Sequence, residues 1–317
     1  MSLESPQRNA GNCTSLFWKV QDHRMLFRAF GFFLFPFLIA LWGFSDVPDV
    51  TLVSRESAEL IASDVLAQPK QPVLLSARLV KTRFFMQTGL GGEPVEFLVD
   101  GRSIGQAMTG GDGWARKEFV PKKKGVLEFT VRLAHGKRVK AQSYTAMIGS
   151  ADRTRPIVLV ELAATMMHVE KPKFGPFDLS AFGQTHGSLP NPMPGASDAL
   201  TDVSKRAALL YLFVGSASQS PDVHEWLAEH AFPSGPVFML RPGTRALVSK
   251  VEGWREEGWT NIKAGISSNV DAIEEYVDQE LQAVMVLDED DEEDIPEGAT
   301  MVSAWKDIAT LKVLKFK

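Results

Sequence analysis

The sequence predicts two folded regions behind one membrane helix: an all-β sandwich over residues 72–150 and a three-layer α/β domain with a parallel sheet over residues 155–314. Three observations carry this expectation. A charge-free apolar stretch lies near the N-terminus, short strands separated by glycine turns run from Pro72 to Ile148, and from Arg155 onward strand-like and helix-like segments alternate. At 317 residues the chain is too long for one small domain and suits two with additional segments. Its hydrophobic fraction of 44% belongs to a globular protein with a substantial core.

The apolar stretch, Ala29 to Phe44, reads AFGFFLFPFLIALWGF. With Met25, Leu26, Phe27 and a snorkelling Arg28 it reaches about 20 residues, enough to cross ~30 Å of hydrocarbon as a helix. Pro36 would kink that helix, which a membrane tolerates. A buried core helix and a cleaved signal peptide are the alternatives, although no small-x-small cleavage site follows and Leu41-Trp42-Gly43-Phe44 is bulky. Arg8, Lys19, Arg24 and Arg28 precede the span, whereas Asp46 and Asp49 follow it. The positive side stays in the cytoplasm. Residues 1–24 are thus expected as a cytoplasmic tail, 25–45 as the transmembrane helix and 46–71 as a linker. The folded part then faces outward, which in a bacterium makes this a single-pass inner-membrane protein with periplasmic domains. Cys13 is the one cysteine, so no intramolecular disulfide can form. It precedes the apolar run and so is not part of a lipobox.

Within 72–150, Val95-Glu96-Phe97-Leu98-Val99 runs into Asp100-Gly101, a strong hairpin signal. Leu127, Phe129, Val131 and Leu133 alternate with polar residues, the period of a half-buried strand. Strands recurring roughly every 8–12 residues point to a sandwich. This region resembles a bacterial immunoglobulin-like domain. The glycine-rich loop Thr109 to Ala115 carries Asp112; it reads either as a turn entering a strand or as a metal or sugar loop, and calcium would need more carboxylates nearby.

From Arg155 the grammar is strand then helix. Ile157–Val160 is an apolar strand, followed by a Pro-, Gly- and Ser-rich stretch from Lys171 to about Ala199. Strands are expected at 211–214, 237–240, 261–266 and 283–287, with helices opening at Ser220-Pro221 and spanning 244–259 and 269–281. Ser220 can cap, and proline suits the first helical position. Such alternation argues a parallel sheet covered on both faces, with ligands at the carboxyl ends of the strands. The acidic run Asp288 to Asp294 is either a solvated loop or a site for a divalent cation or a basic partner. His135, His168, His186, His224 and His230 show no metal-ligand spacing, and Gly215-Ser216-Ala217-Ser218 falls short of a nucleophile elbow.

Several short motifs recur in one order. Pro156-Ile157-Val158-Leu159-Val160-Glu161-Leu162-Ala163-Ala164-Thr165 is a strand running into a tight turn. Gly215-Ser216-Ala217-Ser218, the Phe232-Pro233-Ser234-Gly235-Pro236 turn, Ser249-Lys250 and Gly265-Ile266-Ser267-Ser268-Asn269-Val270-Asp271 follow it. On these motifs, residues 155–310 resemble the catalytic domain of the actin-patch-associated phosphatidate phosphatases, within the haloacid-dehalogenase superfamily. The resemblance implies a HAD-like fold that is degenerate in its chemistry. Glu161 stands where the family has its nucleophilic aspartate; a carboxylate moved by ~1 Å can cost about a hundredfold. Ala163 stands at the general acid, a role worth roughly 10²–10⁴. Ile266 stands at a magnesium-binding aspartate and cannot ligate. Thr165, Ser216 (or Ser218) and Lys250 would remain as phosphate-binding groups. The alternative is that Ser216 only caps a turn and Lys250 is a solvated helix residue.

The expected function is therefore a membrane-anchored pseudophosphatase, a binding or scaffold module with no cofactor, a protein partner in an envelope complex, and a phosphorylated ligand as a further candidate. The alternative is an active phosphatase acting on phosphate esters or phosphatidate, with a displaced site, Glu161 and the acidic cluster holding magnesium. A net charge of −5 argues against nucleic acid.

Overall fold

The computed structural model describes residues 56–84, 86–135, 138–167, 189–242, 245–287, 296–311, 314 and 316. The expected membrane helix at 25–45 and the acidic run at 288–294 lie outside the described residues. No helix among the described residues is long and apolar enough to cross a membrane.

Strands come first along the chain: β1 (Glu56–Ser57), β2 (Glu59–Ala62), β3 (Val65–Ala67), β4 (Val73–Arg83), β5 (Met86–Gly89), β6 (Pro94–Val99), β7 (Arg102–Met108), β8 (Trp114–Phe119), β9 (Gly125–Leu133), β10 (Val139–Lys140) and β11 (Tyr144–Ser150). They build two facing sheets. One has the order β3-β11-β9-β6-β7; in the other, β4 pairs with β2, β5 and β8. β1 and β10 form a separate two-stranded ladder. Alternation decides which side chains enter: Phe129 and Val131 of β9, Val95 and Phe97 of β6, and Leu75, Ala77 and Leu79 of β4 are all buried in one core. The β6–β7 hairpin turns on Asp100 and Gly101, both at positive φ, which this residue pair accepts more readily than most. In the Thr109–Ala115 loop, Asp112 Oδ1 accepts a hydrogen bond from the Trp114 amide at 3.0 Å, which fastens the turn into β8.

The second layer set contains β12 (Ile157–Glu161), β13 (Ala208–Val214), β14 (Val237–Leu240), β15 (Ile262–Ser267), β16 (Gln282–Val286) and β17 (Thr300–Val302), paired in parallel in the order β14-β13-β12-β15-β16-β17. α1 (Ala196–Ser204), α2 (Ser220–Glu229) and the short α5 (Trp305–Ile308) cover one face; α3 (Ala246–Glu256) and α4 (Val270–Asp278) cover the other. β12 explains its own composition. Val158 and Val160 enter the first core and Ile157 and Leu159 the second, so the first four positions are apolar and only the strand's last residue, Glu161, is charged. The sandwich and this layer set form one compact unit.

The fold class needs correction. Strand outweighs helix among the described residues, the chain builds several sheets, and only the six-stranded sheet is wholly parallel among the larger ones. The sandwich also begins upstream of residue 72, with β2 and β3. The haloacid-dehalogenase assignment does not hold. Strand–helix alternation is common to every doubly wound sheet and singles out no phosphatase. The positions on which the resemblance rested are also dispersed, as described below.

Gly265 in β15 tests the packing. A Cβ there would overlap the ring of the fully buried Tyr276, whereas one on Gly253 of α3 would meet nothing within 4 Å. Gly265→Ala should lose about 1–3 kcal/mol by overpacking. Gly253→Ala should be neutral or gain up to ~1 kcal/mol. Urea midpoints measure both, and equal midpoints would contradict the close approach.

Candidate functional site

The carboxyl ends of the parallel strands are where ligands usually bind in such sheets, above all where neighbouring crossovers diverge. Here that place lies between β12 and β15. Glu161 ends β12 and Ser267 ends β15. The Ser267 hydroxyl donates to the Glu161 carboxylate, and its oxygen accepts from the Asn269 amide at 2.9 Å. Asn269 in turn caps α4 by accepting from the Ala272 amide at 3.0 Å. The two strand ends are thus bridged. A small cavity of about 210 Å³ beside them is lined by Glu161, Asp271, Glu275, Tyr276 and Arg241, among others. Burial raises the Glu161 carboxyl above its ordinary range, against the Ser267 hydrogen bond that lowers it. Burial and then the neighbouring Asp271 and Glu161 raise Glu275 as well. Three carboxyl groups beside one guanidinium make this crevice a poor place for a phosphate.

The other sequence-derived positions do not converge there. Ile266 is fully buried in the core with Val160, Ala164 and Val284. Ala163 is exposed in the single 3-10 turn Leu162–Thr165. Thr165 is sealed from solvent and its hydroxyl donates to the Leu162 carbonyl at 2.8 Å. Ser216 caps a second 3-10 turn, Ala217–Gln219: its Oγ accepts from the Ser218 amide, and Gln219 Oε1 accepts from the Ser216 amide at 2.8 Å. Lys250 rises from α3 with Nζ 4.6 Å from the Phe238 ring centre and 5.2 Å from that of Trp254. Burial lowers its pKa, and Glu257 works against that.

Ser216 and Lys250 nevertheless share a larger space. A cleft of about 680 Å³ opens between the β2–β3 turn of the sandwich and the ends of β13 and β14. Its charged lining is Asp64, Arg241 and Lys250. Asp64 is 5% exposed and fully engaged. Its Oδ1 accepts from the Met147 amide at 2.9 Å; its Oδ2 accepts from the Val237 amide at 2.6 Å and lies 2.8 Å from His224 Nε2. Among the described residues, no carboxylate lies within salt-bridge distance of Arg241 or Lys250. The cleft therefore presents two cations and a turn with polar side chains. A neighbouring cavity of about 480 Å³ continues past Lys250 to Trp254, Trp259 and Arg153. Sequence reasoning missed Asp64, Arg241 and this aromatic wall. The available signal was Asp64 itself, a lone carboxylate between the apolar runs Leu60–Ala62 and Val65–Ala67. Its partner His224 lies 160 positions away, which no local pattern could supply.

Two outcomes are expected. Asp64→Ala strands the buried Val237 amide, the half-buried Met147 amide and a histidine, so it should cost about 3–5 kcal/mol. In a cycle with His224→Ala, chemical denaturation should give a coupling of roughly 0.5–3 kcal/mol; strict additivity would exclude the pair as a link. For Glu161, a folded-state pKa above the unfolded one means the folded chain holds the proton more tightly. Its favourable contribution is present below about pH 4.5 and is lost as pH rises through the raised value. Glu161→Gln should then be more stable than the parent at neutral pH, and this gap should close as pH falls below that window. A gap independent of pH in thermal melts would contradict the burial of this carboxylate.

No family model matches the chain, and no curated protein matches it. Among solved structures, it is similar to the CARDB domain of PF1109 from Pyrococcus furiosus, in two determinations. The solution structure shares 10% identity and covers 30% of this chain and 94% of that one, with a TM-score of 0.22. The crystal structure of that domain in complex with di-metal ions shares 10% identity and covers 30% and 93%, with a TM-score of 0.19. Likenesses this weak carry no argument about fold or activity here.

Proposed function

We propose that this chain is a non-catalytic binding module that receives an anionic group in the cleft between its sandwich and its parallel sheet. The sandwich, read as immunoglobulin-like, supplies one wall. Residues 25–45 hold the module at a membrane as a single span, with the N-terminus cytoplasmic and the folded part periplasmic, where it serves as a scaffold for an envelope partner. One observation supports the reading above the others: among the described residues, the one carboxylate lining the cleft, Asp64, is consumed by three partners, while Arg241 and Lys250 face the space without a carboxylate partner. Two cations in a partly water-excluded cleft attract a phosphate or carboxylate more strongly than they would in open water. The group most suited to acid–base work, Glu161, sits in the separate acidic crevice and is engaged by Ser267.

The test is thermal stability of the full chain in detergent with inorganic phosphate and glycerol phosphate. A ligand at 100 times its dissociation constant should add about 2.7 kcal/mol, and Arg241→Ala should abolish the shift, with Lys250→Met reducing it. No shift with either compound, or the same shift in both variants, would refute the anion site. Magnesium-dependent hydrolysis of a generic phosphate ester that disappears in Glu161→Ala would refute the non-catalytic reading.

A further inference from the structure

The β4–β5 hairpin breaks the usual chemistry of its own turn. Arg83 pairs with Met86, and in the sequence only Phe84 and Phe85 stand between them. Two-residue hairpins favour Asn, Asp or Gly, because the central positions need positive φ. Phe84 has φ of 47°, a conformation rare for a bulky side chain and unfavourable by ~1–3 kcal/mol. No packing offsets that cost, since Phe84 is 94% exposed and Met86 72%. An aromatic and a thioether held out in water at a strained tip, where Asn-Gly would fold better, call for a partner.

Two further observations identify it. Two basic side chains flank the hairpin: Arg83 is 73% exposed, Lys81 is largely covered, and both lie against Glu56, with no carboxylate between Lys81 and Gly89. Glu56 is also where the described chain begins. From residue 45, the end of the apolar stretch, eleven peptide steps span at most about 40 Å. Lys81 and Arg83 lie against Glu56, so the hairpin stands beside the point where the described chain continues from the apolar stretch. The opposite end of β4, at Val73 and Leu74, lines the cavity with Trp254 and Trp259, about 33 Å along the strand at ~3.3 Å per residue.

We infer that the β4–β5 tip is a membrane-contact element: Phe84 and Met86 enter the headgroup–acyl boundary of a bilayer, and Arg83 pairs with lipid phosphates. Aromatic residues favour that interface, and basic ones favour anionic headgroups. The inference rests on the membrane attachment proposed above, and alkaline extraction of the full chain from membranes tests that attachment separately.

The experiment uses the full chain with Cys13→Ser, reconstituted into phosphatidylcholine vesicles with or without phosphatidylglycerol. A polarity-sensitive NBD dye is placed on Phe84→Cys or, at the far end of β4, on the exposed Gln71→Cys. The dye at 84 should shift to the blue and be quenched by lipids spin-labelled near the headgroup, more so with the anionic lipid, while the dye at 71 stays water-like. Because a cysteine at 84 removes no buried contact, thermal melts should match the parent. A water-like dye at 84, equal quenching at 71, or a blue shift at 84 without lipid quenching (a contact with a second copy) would each overturn the assignment. If alkaline extraction releases the chain yet the dye at 84 is still quenched by added vesicles, the attachment by a span fails while the tip contact stands.

Discussion

One carboxylate fixes how the two halves of this protein meet. Asp64 leaves the β2–β3 turn and is approached by the amide of Met147 from β11, the amide of Val237 from β14 and the imidazole of His224 from α2. Burying an unpaired carboxylate would be prohibitive, and burying it with three donors is tolerable only if all three stay in place. The sandwich edge, the third strand of the parallel sheet and the helix before it are therefore held in one arrangement. Two neighbouring contacts follow from it. The Tyr144 hydroxyl donates to the Ala217 carbonyl, and Gly149 of β11 passes so close to Pro236 that a Cβ would stand 2.9 Å from the ring. The same geometry leaves the cleft open above the Ser216 turn, so it is a consequence of how Asp64 spaces the layers.

Charge divides the strand ends into two unlike places. The crevice at Glu161 gathers Asp271 and Glu275, and Tyr276 below it has a hydroxyl without a hydrogen-bond partner among the described residues, its pKa raised far above its ordinary range by burial first and by Glu161 and Glu275 next. The cleft on the other side of Val214 gathers Arg241 and Lys250. Arg241 lines both and so screens one from the other. Lys250 shows two opposed effects in one side chain. Desolvation favours the neutral amine, whereas the faces of Phe238 and Trp254 favour the ammonium. An incoming anion adds to the second effect, which makes the occupied cleft the state in which this lysine is most readily charged.

What the sequence disclosed follows from where its signals are local. Ile157–Val160 reads as a strand because both faces are buried and every residue must be apolar; the alternation from Leu127 to Leu133 reads as a strand because only one face is. Asp100-Gly101 reads as a turn because its backbone demand is specific. The start of the sandwich was hidden because β2 and β3 are three or four residues long and are held by pairing, β2 with the neighbouring β4 and β3 with β11, which lies far along the chain. The site was less legible than the fold. Motif order suggested a phosphatase, but order along a chain does not bring side chains together: Thr165 and Ile266 are walled into the core, while Ser216 and Lys250 line a cleft whose other wall comes from a different part of the sequence. Lys250 was singled out only by the family resemblance and proves informative for its neighbours.

β4 ties these features into one mechanical unit. Its first residues wall the aromatic cavity beside Lys250, its middle residues Ala77 and Leu79 are fully buried in the sandwich core, and its last residue, Arg83, stands at the exposed hairpin. It is bonded to β2 on one side and to β8 and β5 in succession on the other, so it has little freedom to bend between its ends. A strand restrained in this way transmits position but not motion. Whatever fixes the hairpin fixes the orientation of the cleft, because Asp64, in the turn after the β2 strand that pairs with β4, locks the parallel sheet to the same frame. A module of this construction works by presenting its cleft at a set place and angle, which suits holding a partner and does not require a hinge or a closing lid.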